Sequence, residues 1–207
     1  MTTPGQPTEL LNARARRRGD AALAGLHGDE QAARALVLDP DPEVRGAALA
    51  ALVRTGAATR HDAARALVDP DPIVRRRACE LAPRLPGACY QDLLEDPDVS
   101  VVEAACFALG EVGETSSARR LAVIVRAHHD PLCRESAVAA LGALGALGVL
   151  DGLDAVLEAL ADVATVRRRA AVALAAFDPA KTQAALFSCL EDRDWQVRQI
   201  AEDLLGR

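Results

Sequence analysis

The sequence predicts an all-α fold, a right-handed α-solenoid of about six two-helix repeats with a helical cap at its N-terminal end. The 207 residues are half hydrophobic but only 2% aromatic, and about a fifth of them are alanine. Alanine has the highest helix propensity and lets helices approach closely. A local pattern also returns about every thirty residues, and helix pairs of that length bury their apolar faces only when they are stacked.

The recurring pattern is clearest where residues 39–45 read Asp-Pro-Asp-Pro-Glu-Val-Arg and residues 69–75 read Asp-Pro-Asp-Pro-Ile-Val-Arg. The residue before the arginine defines an anchor for each repeat, and successive anchors are 30, 27, 32, 33 and 31 residues apart. The anchors are Val44, Val74, Val101, Cys133, Val166 and Val197. This spacing predicts one repeat domain over residues 8–207, preceded by a disordered tail at residues 1–7.

Each anchor lies near the start of a predicted second helix. Asp41 and Asp71 suit N-caps, and Pro42 and Pro72 suit the first helical position, where a missing N–H costs nothing; the last repeat has Asp194 and Trp195 there. The fourth residue after every anchor is alanine, which indicates a close helix crossing. Gly56, Gly113 and Gly145 are expected as C-caps. The predicted first helices are 30–38, 60–68, 88–95, 116–127, 150–161 and 179–190, after one or two cap helices within 8–27.

The fifth residue after the anchor distinguishes the last repeat from the others. It is apolar in the first five repeats, as Leu49, Cys79, Cys106, Val138 and Ala171. In the sixth repeat it is Glu202. A charge at that position predicts that the last repeat faces solvent and closes the array.

The pattern D-P-D-P-x-V-R-x-x-A-x-x-A-L at residues 39–52 resembles a HEAT repeat, specifically the short type named after phycobilisome lyases. The resemblance extends over about residues 29–207. It implies a ladder of turn aspartates and second-helix arginines between neighbouring repeats. The ladder residues are Asp39 with Arg45, Asp69 with Arg75, and Asp192 with Arg198. Val102 replaces the arginine in the third repeat, and His128 and Ala161 stand at the aspartate position of the fourth and fifth.

Charge and cysteine content restrict the functional classes. The formal net charge is −6, and Lys181 is the only lysine, which argues against general nucleic-acid binding because that affinity comes from neutralising phosphates. The five dispersed cysteines contain no C-x-x-C pair, so we expect reduced, mostly buried thiols in a cytoplasmic protein. The start of the chain lacks the features of a signal peptide, and glycines interrupt the apolar run at residues 138–150.

The sequence predicts no catalytic residue, cofactor or metal. Deoxyhypusine hydroxylases of the repeat class hold iron with His-Glu dipeptides, and none occurs here. His128, His129 and Asp130 are adjacent but do not suit a convergent metal site. The alternatives are an enzyme or accessory subunit of the lyase or metal-hydroxylase type, or a nucleic-acid-binding module; few aromatic residues and the negative charge oppose a bilin pocket or a glycosylase cleft.

A partner is expected on the concave surface of the second helices, which repeat proteins commonly use for binding. The second, sixth and ninth residues after each anchor point away from the predicted core. In repeats three to five they form an apolar strip with a polar rim, which is typical of a surface that binds another protein or a peptide segment. The strip is Phe107, Gly110, Ala139, Gly142, Val172 and Ala175, and its rim is Arg76, Arg168, Glu103 and Glu135. The alternative is that tighter packing buries this strip.

Basic runs at residues 75–77 and 167–169, together with Arg14, Arg16, Arg17 and Arg18, form a second candidate surface. Such a surface suits an acidic peptide, a phosphate or RNA. The other interpretation is that these arginines are ladder residues and solvated helix faces.

Overall fold

The computed structural model describes residues 6–207, with side chains from residue 11 onward. Helices form all the regular secondary structure in this range, so the all-α prediction is confirmed. The chain divides into two compact units, Met1–Cys89 and Tyr90–Arg207, called here the N-terminal and C-terminal units. The first helix begins at Gln6, two residues before the predicted start of the domain. The rest of the predicted tail, residues 1–5, lies outside the described residues, and the single domain stays a prediction.

The N-terminal unit stacks helices α1, α3 and α5 in sequence, with α2 and α4 packed beside them. The long α1 is one helix rather than two. A short 3₁₀ turn, Ala82–Arg84, follows α5. The helices are α1 (Gln6–His27), α2 (Glu30–Leu36), α3 (Pro42–Thr55), α4 (Arg60–Leu67) and α5 (Pro72–Glu80).

The C-terminal unit stacks the second helices α6, α8, α10 and α12 in sequence. The first helices α7 and α11 pack against the second helices that follow them, and α9 contacts both α7 and α8. The helices are α6 (Val99–Glu111), α7 (Ala118–Ala127), α8 (Pro131–Ala146), α9 (Leu153–Glu158), α10 (Ala164–Ala173), α11 (Pro179–Cys189) and α12 (Trp195–Leu205).

The predicted first helix at residues 88–95 is wrong as an α-helix. The structure has only a 3₁₀ segment there, Gln91–Glu95. The segment belongs to the third repeat, whose anchor lies only 27 residues after that of the second repeat, the shortest spacing between anchors. Gly87 has a positive φ of 65°, and the chain is extended again at Asp96. The segment between these two residues closes only 3₁₀ turns.

Aspartate caps begin the second helices as predicted. The side chains of Asp41, Asp71 and Asp194 accept hydrogen bonds from first-turn amides, and Pro42 and Pro72 occupy the first turn. Gly56 ends α3 in the left-handed conformation. The C-cap prediction for Gly145 is wrong, because α8 continues past it. The Asp caps missed by the sequence analysis are Asp98 and Asp130 on second helices, and Asp29 and Asp178 on the first helices α2 and α11.

The alanine column forms the centre of each unit's core. All six of these alanines are fully buried, and so are five of the six anchors; Val74 is 3% exposed. Glu202 is exposed, whereas the apolar residues at its position in the other repeats are buried, as expected for a solvent-facing last repeat. The buried alanines are Ala48, Ala78, Ala105, Ala137, Ala170 and Ala201.

Three glycines let neighbouring second helices approach at close range. A Cβ on Gly110 of α6 would lie 2.9 Å from Cα of Ala140 in α8, and a Cβ on Gly142 would lie 3.2 Å from Cα of Ala173 in α10. Gly25 meets Ala51 in the same way, at 2.9 Å. In all three pairs, the alanine is the seventh residue after the anchor of its repeat. Helix α1 therefore packs as the second helix of a preceding repeat, which the sequence analysis did not recognise.

Ion pairs link successive turns along each unit. Arg45 on α3 donates from Nε to Oδ2 of Asp69 at 2.9 Å. Arg17 does the same for Asp39 at 2.8 Å, so α1 supplies the first step of the ladder. In the C-terminal unit the steps are Arg134 with Asp162 and Arg167 with Asp192.

The predicted pairs of an aspartate and an arginine from the same repeat are therefore wrong, because Asp39, Asp69 and Asp192 each accept from an arginine of the preceding second helix. Within its own repeat each arginine donates to a backbone carbonyl instead, as Arg45 does to Asp39 at 2.9 Å. The carboxylates that Arg45, Arg134 and Arg167 reach belong to the next turn. The prediction that Ala161 stands at the aspartate position of the fifth repeat is wrong by one residue, because the adjacent Asp162 accepts the hydrogen bonds of Arg134. Arginines with such carbonyl contacts are Arg45, Arg75, Arg134, Arg167 and Arg198.

The hydrogen bond from Arg134 lowers the pKa of Asp162, and the hydrogen bond from Arg167 lowers that of Asp192. Four of the five cysteines are buried, and Cys89 is exposed. None of the helices described is both long and apolar enough to cross a membrane.

We expect Gly110→Ala to destabilise the protein by about 1–3 kcal/mol, because the added methyl overpacks the backbone of α8. Gly19→Ala is the control, since Gly19 lies in α1 with nothing within 4 Å of the added Cβ. That change should stabilise by up to about 1 kcal/mol through helix propensity. Urea unfolding measures both, and equal effects of the two changes would contradict the close contact.

We expect Asp192→Asn to destabilise the protein by about 2–3 kcal/mol at pH 7, because Arg167, 4% exposed, loses its charged partner. Because the pKa of Asp192 is lower in the folded than in the unfolded chain, its ionised form stabilises the fold above about pH 4. This stabilisation is lost as the pH falls through the pKa of Asp192 in the folded state. The difference between wild type and variant should therefore shrink in acid. Glu158→Gln, in the exposed pair with Arg126, is the control; a loss that does not depend on pH argues against the charge effect.

Candidate functional site

Three adjoining cavities follow the second helices of the C-terminal unit. The cavity beside Phe107 has a volume of about 290 Å³, the middle one about 370 Å³, and the one near α12 about 290 Å³. Arg169 lines all three, and Ala139 and Ala143 line the first two. We call this continuous depression the α8 groove, because α8 lies along its floor.

The apolar residues predicted for the strip differ in their exposure. Phe107 is 51% exposed and Val172 is 48% exposed, and both line the α8 groove. Ala175 is exposed, and Gly110 and Ala139 are half-buried. Gly142 is buried by its contact with α10, so it forms part of the floor rather than an exposed surface. The strip is thus open to solvent at Phe107, Val172 and Ala175.

The predicted rim is more strongly paired than the sequence suggests. Arg168 donates from Nε to Oδ1 of Asp194 at 3.0 Å, and this hydrogen bond lowers the pKa of Asp194 to about 2. Glu135 receives Arg169 at 3.3 Å. Glu103 is half-buried. Arg76 belongs to the N-terminal unit, where its Nε lies 3.5 Å from Glu80.

The sequence analysis missed the third and tenth residues after each anchor. Ser136, Arg169, Glu111 and Ala143 occupy these positions and line the groove. The signal was present, because the fifth residue after the anchor is apolar in five repeats. Successive residues of an α-helix are about 100° apart around its axis. When the fifth residue after the anchor is counted as buried, the exposed face of the helix is centred on the sixth residue. The third and tenth residues lie beside the sixth on that exposed face.

The second candidate surface is largely used inside the molecule. Arg14 pairs with Asp41 and Arg17 pairs with Asp39, both in the segment between α2 and α3. Arg18 pairs with Glu43. Arg77 pairs with Glu80. Arg167, Arg168 and Arg169 each pair with a carboxylate in the C-terminal unit. These contacts favour the interpretation that the basic runs support the fold.

The adjacent histidines are part of a turn. Nδ1 of His128 accepts the backbone N–H of Asp130 at 3.1 Å, as turn aspartates accept an amide two residues later. The carbonyls of His128 and His129 accept hydrogen bonds from Arg134. The part of the chain that the structure describes contains no group of three or more His, Cys, Asp or Glu arranged to hold a metal.

A family model described as HEAT repeats matches residues 90–173. These residues include α6 to α10, and so most of the α8 groove. The match supports HEAT repeats in this part of the chain. Among curated proteins, none matches the chain.

Several engineered proteins of known structure are similar in fold. A crystal structure of an engineered protein from the Northeast Structural Genomics Consortium has a TM-score of 0.61 and 17% identity, covering 86% of this chain and 95% of its own. A computationally designed armadillo repeat protein for modular peptide recognition has a TM-score of 0.52 and 18% identity, covering 96% and 93%.

Another designed armadillo repeat protein, in complex with the peptide (KR)4, has a TM-score of 0.53 and 16% identity, covering 99% and 95%. Identities this low support a shared fold only. The likeness confirms the predicted α-solenoid; its right-handed sense stays a prediction.

We expect Phe107→Ala to change the free energy of unfolding by no more than about 0.5 kcal/mol, since half the ring is already in water. Phe177 is the matched control, because it is 5% exposed and packs on Gly145. Phe177→Ala should cost about 3–5 kcal/mol. Thermal unfolding measures both, and comparable losses would show that Phe107 is a core residue.

Proposed function

We propose that this protein is a non-catalytic scaffold or adaptor whose α8 groove binds a segment of another protein. The observation that carries the proposal is the half-exposed ring of Phe107 beside adjoining apolar cavities. Apolar patches with a polar rim mark interaction sites on proteins. Aromatic residues are enriched in the buried centres of interfaces.

The shape of the groove favours a segment of extended chain or one helix. Three cavities adjoin along the second helices, so they can receive several side chains of one segment. The floor of glycine and alanine lets the partner approach the helix backbones. Recognition of a segment in a groove uses a few side chains as anchors in this way.

The proposed binding residues include the predicted strip and the newly found positions. The strip and rim residues Phe107, Gly110, Ala139, Val172, Ala175, Glu103, Glu135 and Arg168 stay in the proposal, joined by Glu111, Ser136, Ala143 and Arg169. Gly142 contributes to the floor. Arg76 lies in the other unit and is kept only as a sequence-based candidate.

We propose further that the repeats are of the short phycobilisome-lyase type, that the groove lies on the concave surface, and that the protein is cytoplasmic. Two proteins of similar fold are designed armadillo repeat proteins, one made for modular peptide recognition and one in complex with a peptide. The net charge of −6 supports a protein rather than a nucleic acid as the partner.

A random peptide library displayed on phage tests this proposal. We expect peptides selected on the wild-type protein to lose about tenfold or more in affinity for Val172→Asp, because a charge enters the apolar interface. Val123→Asp is the matched control, since Val123 is an exposed valine of α7 in the same unit, 60% exposed. Isothermal titration measures each affinity.

The proposal fails if the selected peptides bind Val172→Asp and wild type equally. It also fails if Val123→Asp weakens binding as much as Val172→Asp does. Circular dichroism and thermal unfolding of both variants separate a lost contact from a lost fold.

A further inference from the structure

The cavity beside Phe107 combines an aromatic ring, an apolar floor and negative charge. Its floor is Gly110, Ala139, Ala140 and Ala143. The polar residues that complete its wall are Glu111, Glu135, Ser136 and Arg169. The middle cavity differs, because Arg169 is its one charged lining residue. A ligand that extends over both cavities therefore meets two chemically different sites.

Two carboxylates flank the Phe107 ring along α6. Glu103, Phe107 and Glu111 are spaced four residues apart, so they share one face of the helix. Within the described part of the chain, neither Glu103 nor Glu111 takes part in a side-chain ion pair. Their charges are thus not neutralised by the protein, and the ring lies between them.

The positive groups near the cavity are already paired. Arg168 makes two contacts with Asp194, at 3.0 and 2.5 Å, so its charge is balanced. Arg169 lies 3.3 Å from Glu135 with about half its side chain exposed. Exposed ion pairs of this kind are weak, so an incoming cation can replace Arg169 at Glu135. The unbalanced charge of the cavity is negative.

We propose that this cavity receives a lysine or arginine side chain of the bound segment; the inference rests on the proposed function. The cationic group lies against the Phe107 ring, whose face attracts cations, and between Glu111 and Glu135. The aliphatic stem of the same side chain packs on the alanine and glycine floor, as long basic side chains do on apolar surfaces. A neighbouring apolar residue of the segment enters the middle cavity at Val172.

An acidic segment fits this arrangement poorly. It would gain Arg169 but would face the uncompensated Glu103 and Glu111. A neutral apolar segment would fill the middle cavity and leave the charge beside Phe107 unused. The charge pattern therefore favours a segment in which basic and apolar residues alternate.

Three labelled octapeptides test the inference, with leucine alternating with arginine, glutamine or glutamate. Fluorescence anisotropy gives each affinity at physiological salt. We expect the Leu–Arg peptide to bind about tenfold or more tightly than the Leu–Gln peptide, and the Leu–Glu peptide to bind weakest. Glu111→Gln with Glu135→Gln should remove most of this preference. Phe107→Leu should reduce it while keeping the affinity for the Leu–Gln peptide.

The control is Glu191→Gln with Glu202→Gln, which makes the same change in net charge at two exposed glutamates away from the groove. An equal loss in this control would show a bulk charge effect and overturn the inference. Tight binding of the Leu–Glu peptide, or no binding of the Leu–Arg peptide, would also overturn it. If the Leu–Gln peptide binds as well as the Leu–Arg peptide and Val172→Asp abolishes both, the inference fails while the proposed function stands.

Discussion

The close contact between neighbouring second helices is the constraint on which the rest of the structure depends. Fully buried alanines occupy the fourth position after every anchor. In three pairs, glycine meets the Cα of an alanine within 3.2 Å of where its Cβ would be. Larger residues would separate the helices and open the core. The arginine ladder adds orientation to this packing, because the guanidinium groups of Arg45, Arg134 and Arg167 each contact their own turn and the carboxylate of the next.

The candidate site follows from the same packing. Helices this close leave no room for large side chains between them, so the surface above the contacts is a floor of glycine and alanine. Large residues on the outward positions, Phe107 and Val172, then border cavities instead of closing them. The groove therefore requires no separate structural element, and its chemistry depends on the few outward side chains of each repeat.

The sequence predicted the fold well because its signals repeat. Six copies of the anchor and the alanine column identify the second helices, and the capping aspartates mark where they begin. The failures were local. The 3₁₀ segment at Gln91–Glu95 replaced a helix because one repeat is short, and Asp162 was missed because the turn shifted by one residue. Gly142 looked like a surface residue, since periodicity alone does not show how near the next helix lies.

The site was predicted in part for a related reason. The exposure of Phe107 and Val172 follows from their position on the helix. The apolar fifth residue after the anchors also places Arg169 and Glu111 on the exposed face, but only the structure shows that they line one cavity with Phe107. Pairing between repeats, such as Arg168 with Asp194, is a three-dimensional property that spacing within one repeat does not give. The charge left unpaired around Phe107 became visible only after those pairs were located.

Fluorine NMR tests the central claim most directly, because the chain has three phenylalanines. Incorporated 4-fluorophenylalanine gives one resonance each for Phe107, Phe177 and Phe187, assigned by single Phe→Leu variants. On addition of a peptide selected on the wild-type protein, the account predicts that the Phe107 resonance shifts while those of Phe177 and Phe187 stay in place. A shift at Phe187 with none at Phe107 would contradict it.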